Sequence, residues 1–143
     1  MHPADDAPFM RLAEFGKQLV SLSQSIASLD TQPDATMRRI ICSAIIHDFE
    51  LSFELCWKAG QELGTAEGYS MKGPRDTFIY LSSNGYVAAP AHLTEMINMR
   101  NRTTHAYIPV IAETVVAQII ATYYGTLTDI HDALSRAAEQ GRP

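Results

Sequence analysis

The chain has 143 residues, 46% of them hydrophobic and 19% charged, with a net charge of −5. That length and balance suit one globular domain with a sizeable core, and they exclude a disordered or fibrous chain. The acidic balance argues against an extended nucleic-acid grip, which needs a basic face, while leaving room for a small local phosphate site.

The opening stretch Met1-His2-Pro3-Ala4-Asp5-Asp6 is acidic and lacks the basic-then-apolar pattern of a signal peptide. No apolar run approaches the ~20 residues that span a bilayer. A cytoplasmic protein with no membrane association is the expectation. From residue 8 to 29 the apolar positions Phe9, Leu12, Phe15, Leu19, Leu22, Ile26 and Leu29 recur every three or four residues, the spacing of a helix with one buried face. Pro33 breaks that helix, and Asp34 can cap the next.

The second predicted helix is long, reaching about Ala66. Its apolar seam reads Met37, Ile41, Ile45, Phe49, Phe53, Cys56 or Trp57, and Leu63. An outer face of Asp48, Glu50, Glu54, Lys58 and Glu62 follows from the same periodicity, with Glu54 and Lys58 in the favourable order for a surface pair. Cys42 and Cys56 stand 14 positions apart on this helix, about 21 Å and beyond disulfide reach, which reads as two small core residues. Gly60 and Gly64 weaken the last turns, and Gly68 can supply a left-handed stop.

A short third helix opens at Gly73-Pro74-Arg75-Asp76, since proline suits the first helical position and an acid the first turn. Asn84-Gly85 ends it. Pro90 opens a fourth helix with Leu93, Met96, Ile97 and Met99 as its apolar set, and Pro109 predicts a stop near His105. Glu113 to Ala138 forms the last helix, with Val116, Ile119, Ile120, Tyr123, Leu127, Ile130 and Leu134 facing inward. No segment shows strand alternation. The expected fold is all-α: an up-and-down bundle of four main helices plus one short helix, one domain over residues 1–143.

Chemistry concentrates in Arg100-Asn101-Arg102-Thr103-Thr104-His105-Ala106-Tyr107. A guanidinium holds phosphate as a planar fork, and an imidazole exchanges protons near neutral pH. Five positions on an ideal helix amount to about 140° around the axis, so Arg100 and His105 converge only if the helix loosens at its end. On spacing alone the pair is either a cationic cap of a helix C-terminus or the equipment of metal-free RNA cleavage. In the second case His105 acts as general acid or base and Arg100 stabilises the transition-state charge. Asn101 can orient the histidine or hold phosphate oxygen. Arg102, Arg75 and Lys72 are candidate contacts for an RNA backbone. His47, Glu50 and Glu54 align on one helix face, but no second Glu-x-x-His supplies facing ligands, so no metal site is assigned. No glycine-rich phosphate loop, zinc spacing or nucleophile constellation is present, and no cofactor is implied.

The Arg-x-x-x-x-His-x-Tyr pattern resembles the signature of HEPN-domain proteins. The run Phe49-Glu50-Leu51-Ser52-Phe53-Glu54-Leu55-Cys56-Trp57-Lys58, followed by Pro74-Arg75-Asp76, resembles their nucleotidyltransferase substrate-binding branch, with the likeness spanning roughly residues 10 to 135. The resemblance implies a helical bundle that forms homodimers, with the Arg and His motifs in a cleft between protomers. It further implies the toxin of a toxin–antitoxin pair, a metal-independent endoribonuclease with RNA as substrate. Arg100 and His105 would be its catalytic pair and Asn101 their polar neighbour. A cognate minimal nucleotidyltransferase would silence it by adding AMP to Tyr107. The chain departs from the family pattern in having Ile108-Pro109 where an acidic residue commonly follows the tyrosine. The other reading is a non-catalytic subunit that binds nucleotide or substrate for a nucleotidyltransferase, with Arg100 gripping phosphate.

Overall fold

The computed structural model describes residues 9–102 and 109–141. Its helices are α1 (Met10–Ala27), α2 (Ala35–Ala66), α3 (Pro74–Ser83), α4 (Ala91–Arg102), α5 (Pro109–Gln118) and α6 (Tyr124–Gln140). A 3₁₀ turn, Ser28–Thr31, follows α1, and a π-helical turn, Ile119–Tyr123, joins α5 to α6 without a break. Among the described residues there is no strand. The architecture is therefore the expected all-α bundle, with α1, α2, α4 and the α5–α6 run as its main members and α3 as the short one. No helix among the described residues is long and apolar enough to cross a membrane.

Local signals set the boundaries. The Asp34 carboxylate accepts from the Met37 N–H at 2.8 Å and caps α2, satisfying a donor that has no partner inside the helix. At the other end Gly68 takes φ +95° and the Tyr69 N–H returns to the Gly64 carbonyl at 2.8 Å, a left-handed glycine stop. Pro74 occupies the first turn of α3, as its fixed φ favours. Pro109 also begins a helix. The last helical run therefore starts four residues earlier than the expected Glu113, because a proline that stops one helix is equally suited to open the next.

Helix α2 is the hub and packs against α1, α3, α4, α5 and α6. Phe49 and Phe53, both essentially fully buried, stand 6.5 Å apart edge to face, and Phe53 meets Phe78 of α3 at 5.7 Å, geometries that suit the aromatic quadrupole. Phe15, Leu22, Ile119, Leu127, Ile130 and Leu134 close the core from α1 and the C-terminal run. Cys42 and Cys56 are free and buried within it. Gly60 and Gly64 are seats rather than weak points. A Cβ on Gly60 would meet Thr77 Cγ2 at 2.8 Å, and one on Gly64 would collide with the Met71 methyl. Their missing side chains let α3 and the segment before it lie close against α2.

Three sequence expectations for α2 change. Met37 is 48% exposed and does not join the seam. Asp48 is buried at 9% exposure rather than on an outer face. Its carboxylate accepts from Gln18 Nε2 at 3.1 Å, from Ser21 Oγ at 3.3 Å and from the Ser25 hydroxyl, all on α1. Glu62 likewise turns inward, accepting the Arg11 N–H at 3.1 Å and the Leu12 N–H at 3.4 Å, and so caps α1 from a neighbouring helix. Burial pushes the Glu62 carboxyl above its usual range, and the two backbone N–H groups only partly offset this. In the C-terminal run Ile120 is 42% exposed while Val115 is fully buried. The π turn inserts an extra residue and rotates the inward stripe relative to an unbroken 3.6-residue repeat.

Candidate functional site

The last turn of α4 places Arg100, Asn101 and Arg102 on the surface, where cations complement the partial negative charge of a helix C-terminus. Across from it runs α2, and the two stretches singled out in the sequence meet there. Arg100 Nη2 donates to Glu54 Oε1 at 3.0 Å. The second oxygen, Glu54 Oε2, accepts from Trp57 Nε1 at 3.2 Å. One carboxylate thus bridges a guanidinium and an indole, with the Trp57 ring packed against the core. The expected Glu54–Lys58 surface pair gives way to this arrangement, and the Lys58 ammonium instead lies 5.8 Å from the Trp57 ring centroid, within cation–π range.

The Arg100 and Glu54 side chains are 47% and 31% exposed. An ion pair that open to water is worth about 0–1 kcal/mol, so its effect is to orient rather than to stabilise. It holds the guanidinium at the junction of α4 with α2, on a side chain that stays about half exposed.

Arg102 lies within electrostatic reach of Tyr123 in the π turn. Burial raises the Tyr123 phenol above its ordinary range, Glu95 adds to the rise, and the Arg102 charge opposes it. Arg75, in the first turn of α3, lines a cleft of about 350 Å³ together with Phe78, Ile79, Leu93 and Ile97. Ile97, one turn before Asn101, is the lining residue nearest in sequence to the α4 terminus. Lys72 is exposed just ahead of α3, its N–H directed to Asp76 Oδ2 at 3.4 Å. His105 and Tyr107 lie outside the described residues.

Of the predicted residues, then, Arg100, Asn101 and Arg102 share the last turn of α4, and Arg75 lines the α3–α4 cleft. Sequence reasoning missed Glu54 as the partner of Arg100. The available signal was its membership of the same aromatic stretch as Trp57, three residues on. Among the described residues no group of three or more His, Cys, Asp or Glu side chains could hold a metal ion, and the His47, Glu50, Glu54 stripe has its last member committed to Arg100.

The family described as nucleotidyltransferase substrate binding protein like matches residues 10–136, including the α2 stretch, α3, α4 and nearly all of the C-terminal run. The chain belongs to this family. The solved structure of HI0074 from Haemophilus influenzae, described as revealing the fold of a substrate binding domain of a nucleotidyltransferase, superposes with a TM-score of 0.78. Its sequence is 19% identical, and the match covers 87% of this chain and 98% of that one. The likeness establishes that this nucleotidyltransferase substrate binding protein-like chain shares the HI0074 fold over almost the whole of that protein. No curated protein matches the chain.

Proposed function

We propose that this chain is the substrate-binding member of a two-protein nucleotidyltransferase system, contacting nucleotide phosphate at the C-terminal end of α4. The observation that carries the reading is the Arg100–Glu54 contact at 3.0 Å with the arginine still 47% exposed. A guanidinium held in place by a carboxylate, on a side chain that is half exposed, presents a planar cation suited to phosphate binding. Arg75 adds a positive charge to the apolar cleft between α3 and α4, which suits the flat face of a base. Family membership supports a nucleotidyltransferase as the partner, which would supply the transfer chemistry.

Calorimetry with ATP tests the proposal. Binding in the range of about 10–100 µM is expected, weakened about tenfold by Arg100→Ala, which corresponds to about 1.4 kcal/mol. A wild-type protein that does not bind ATP refutes it. The resemblance of the Arg100–Tyr107 run to the HEPN signature motivates a second reading: a metal-independent endoribonuclease toxin. There Arg100 and His105 pair across a homodimer with Asn101 beside them, and AMP addition to Tyr107 by the partner silences the enzyme. That reading predicts RNA turnover without added metal, lost in Arg100→Ala and in His105→Ala. ATP binding with no RNA turnover excludes it.

A further inference from the structure

The opposite end of α4 carries a different chemistry. His92, in the first turn, lies eight residues before Arg100, about 12 Å along the helix. Its Nδ1 is 3.0 Å from Thr126 Oγ1, and Thr126 Oγ1 in turn lies 3.2 Å from the Thr122 carbonyl oxygen. Thr126 has one hydroxyl proton, and the carbonyl can only accept. With the Thr126 hydroxyl donating to the Thr122 carbonyl, it accepts from His92 Nδ1–H. In that arrangement the neutral imidazole is the Nδ1–H tautomer, and Nε2 keeps its lone pair.

The His92 ring lines a cleft of about 410 Å³, a volume in the range of small-molecule sites. Asp129 lines it as well, exposed, and neither a lysine nor an arginine is among the described residues around it. The site thus offers a carboxylate and an imidazole lone pair, with no cation for a phosphate. Its floor is the segment where the π turn, Ile119–Tyr123, runs into α6, and π turns recur at functional sites.

Gly125 is the informative residue of that floor. It sits inside a continuous helical run, where glycine costs about 1 kcal/mol relative to alanine. At Gly60 and Gly64 the neighbouring helix or loop accounts for the missing side chain. At Gly125 it does not: among the described residues nothing beyond its chain neighbours and its own helix backbone lies within 4 Å of where a Cβ would stand, and the residue is exposed. Gly125 is one of the residues that line the cleft.

We propose that this cleft binds a small hydroxylated amine. Its ammonium pairs with Asp129, a hydroxyl donates to His92 Nε2, and the C–H face of the molecule rests on the backbone of Gly125 and the Ala121 methyl. The proposal stands on this geometry alone and goes beyond the reading built on Arg100.

The test uses the full chain with glucosamine as probe and glucose as the uncharged comparator, followed by calorimetry and by saturation-transfer NMR. Glucosamine binding with a Kd of about 1 mM is expected, with glucose at least about tenfold weaker. Gly125→Ala should raise the melting temperature while weakening glucosamine about tenfold, and Gly125→Leu should abolish binding with the helical circular dichroism retained. Asp129→Asn should remove the preference over glucose. Failure of the wild type to bind glucosamine overturns the proposal, as does equal binding by wild type, Gly125→Leu and Asp129→Asn. ATP affinity, measured on the same variants, should be unchanged, which separates this outcome from failure of the nucleotide reading.

Discussion

Replacing Asp48 by alanine is the sharpest test of how α1 and α2 are joined. Three α1 donors, Gln18 Nε2, Ser21 Oγ and the Ser25 hydroxyl, converge on this carboxylate, which is only 9% exposed. A hydrogen bond to a charged acceptor contributes about 1.5–3 kcal/mol. The desolvation of the carboxylate opposes that gain, and water can reach some of the orphaned serine hydroxyls, so the three bonds do not sum. A net loss of about 3 kcal/mol is expected for Asp48→Ala, equivalent to a drop of about 10 °C in melting temperature for a chain of this size. Asp48→Asn keeps one acceptor oxygen and should lose about half as much. Urea denaturation followed by far-UV circular dichroism gives both values with m held constant. A loss below about 1 kcal/mol for Asp48→Ala would mean that the carboxylate is solvated, as an outer-face residue would be, and would refute the three-donor arrangement.

Other expectations follow from single contacts. Gly60→Ala should destabilise by about 1–3 kcal/mol despite the better helix propensity of alanine, because the new methyl meets Thr77 Cγ2 at 2.8 Å and Leu81 Cδ2 at 3.3 Å; a stabilised variant in thermal melts would refute close packing there. Glu62→Ala should cost about 1 kcal/mol through loss of the α1 cap, while Glu62→Gln keeps an acceptor and should not. The Glu62 carboxyl is raised in the folded state, so the native protein holds its proton to higher pH than the unfolded chain does. Its contribution is then greatest below the unfolded carboxylate pKa and falls as pH rises through the folded value. Melts at pH 4 and pH 7 should show the wild type losing ground to Glu62→Gln at the higher pH. Glu54→Gln should lower ATP affinity less than Arg100→Ala does, since the amide oxygen still accepts from one donor; an equal or larger loss would make Glu54 itself a ligand group.

Periodicity in the sequence located every helix and most of the core, because a buried face repeating every three or four residues survives any choice of neighbour. It misplaced residues where a neighbour decides. Asp48 reads as an exposed acid until Ser21, Ser25 and Gln18 are brought opposite it, and nothing in the spacing of α2 reports those residues of α1. Ile120 reads as inward until the π turn shifts the stripe, and no residue type in Ile119–Tyr123 announces that turn. The candidate site was legible as two separate stretches, one around Trp57 and one around Arg100. Their meeting through Glu54 is a tertiary fact, arising from the packing of α4 against α2.

The acids of α2 follow from its central position. At about 100° per residue, Asp48 and Glu62 differ by about 40° around the helix axis, whereas Glu54 stands about 120° from Asp48. The first two therefore face the same neighbour: Asp48 gathers the polar side chains of α1, and Glu62 caps its first turn. Glu54 faces another, and there it meets Arg100 of α4. Where a neighbouring helix covers α2, water cannot solvate its charges, so each carboxylate turned towards that neighbour needs donors from it. That requirement distinguishes the two roles. Asp48 finds neutral donors in a buried seam, where it fixes α1. Glu54 finds a cation at the rim, where the pair contributes little stability and leaves an oriented guanidinium facing solvent. The same local rule thus yields a structural contact at one site and a ligand-ready one at the other, with exposure deciding between them.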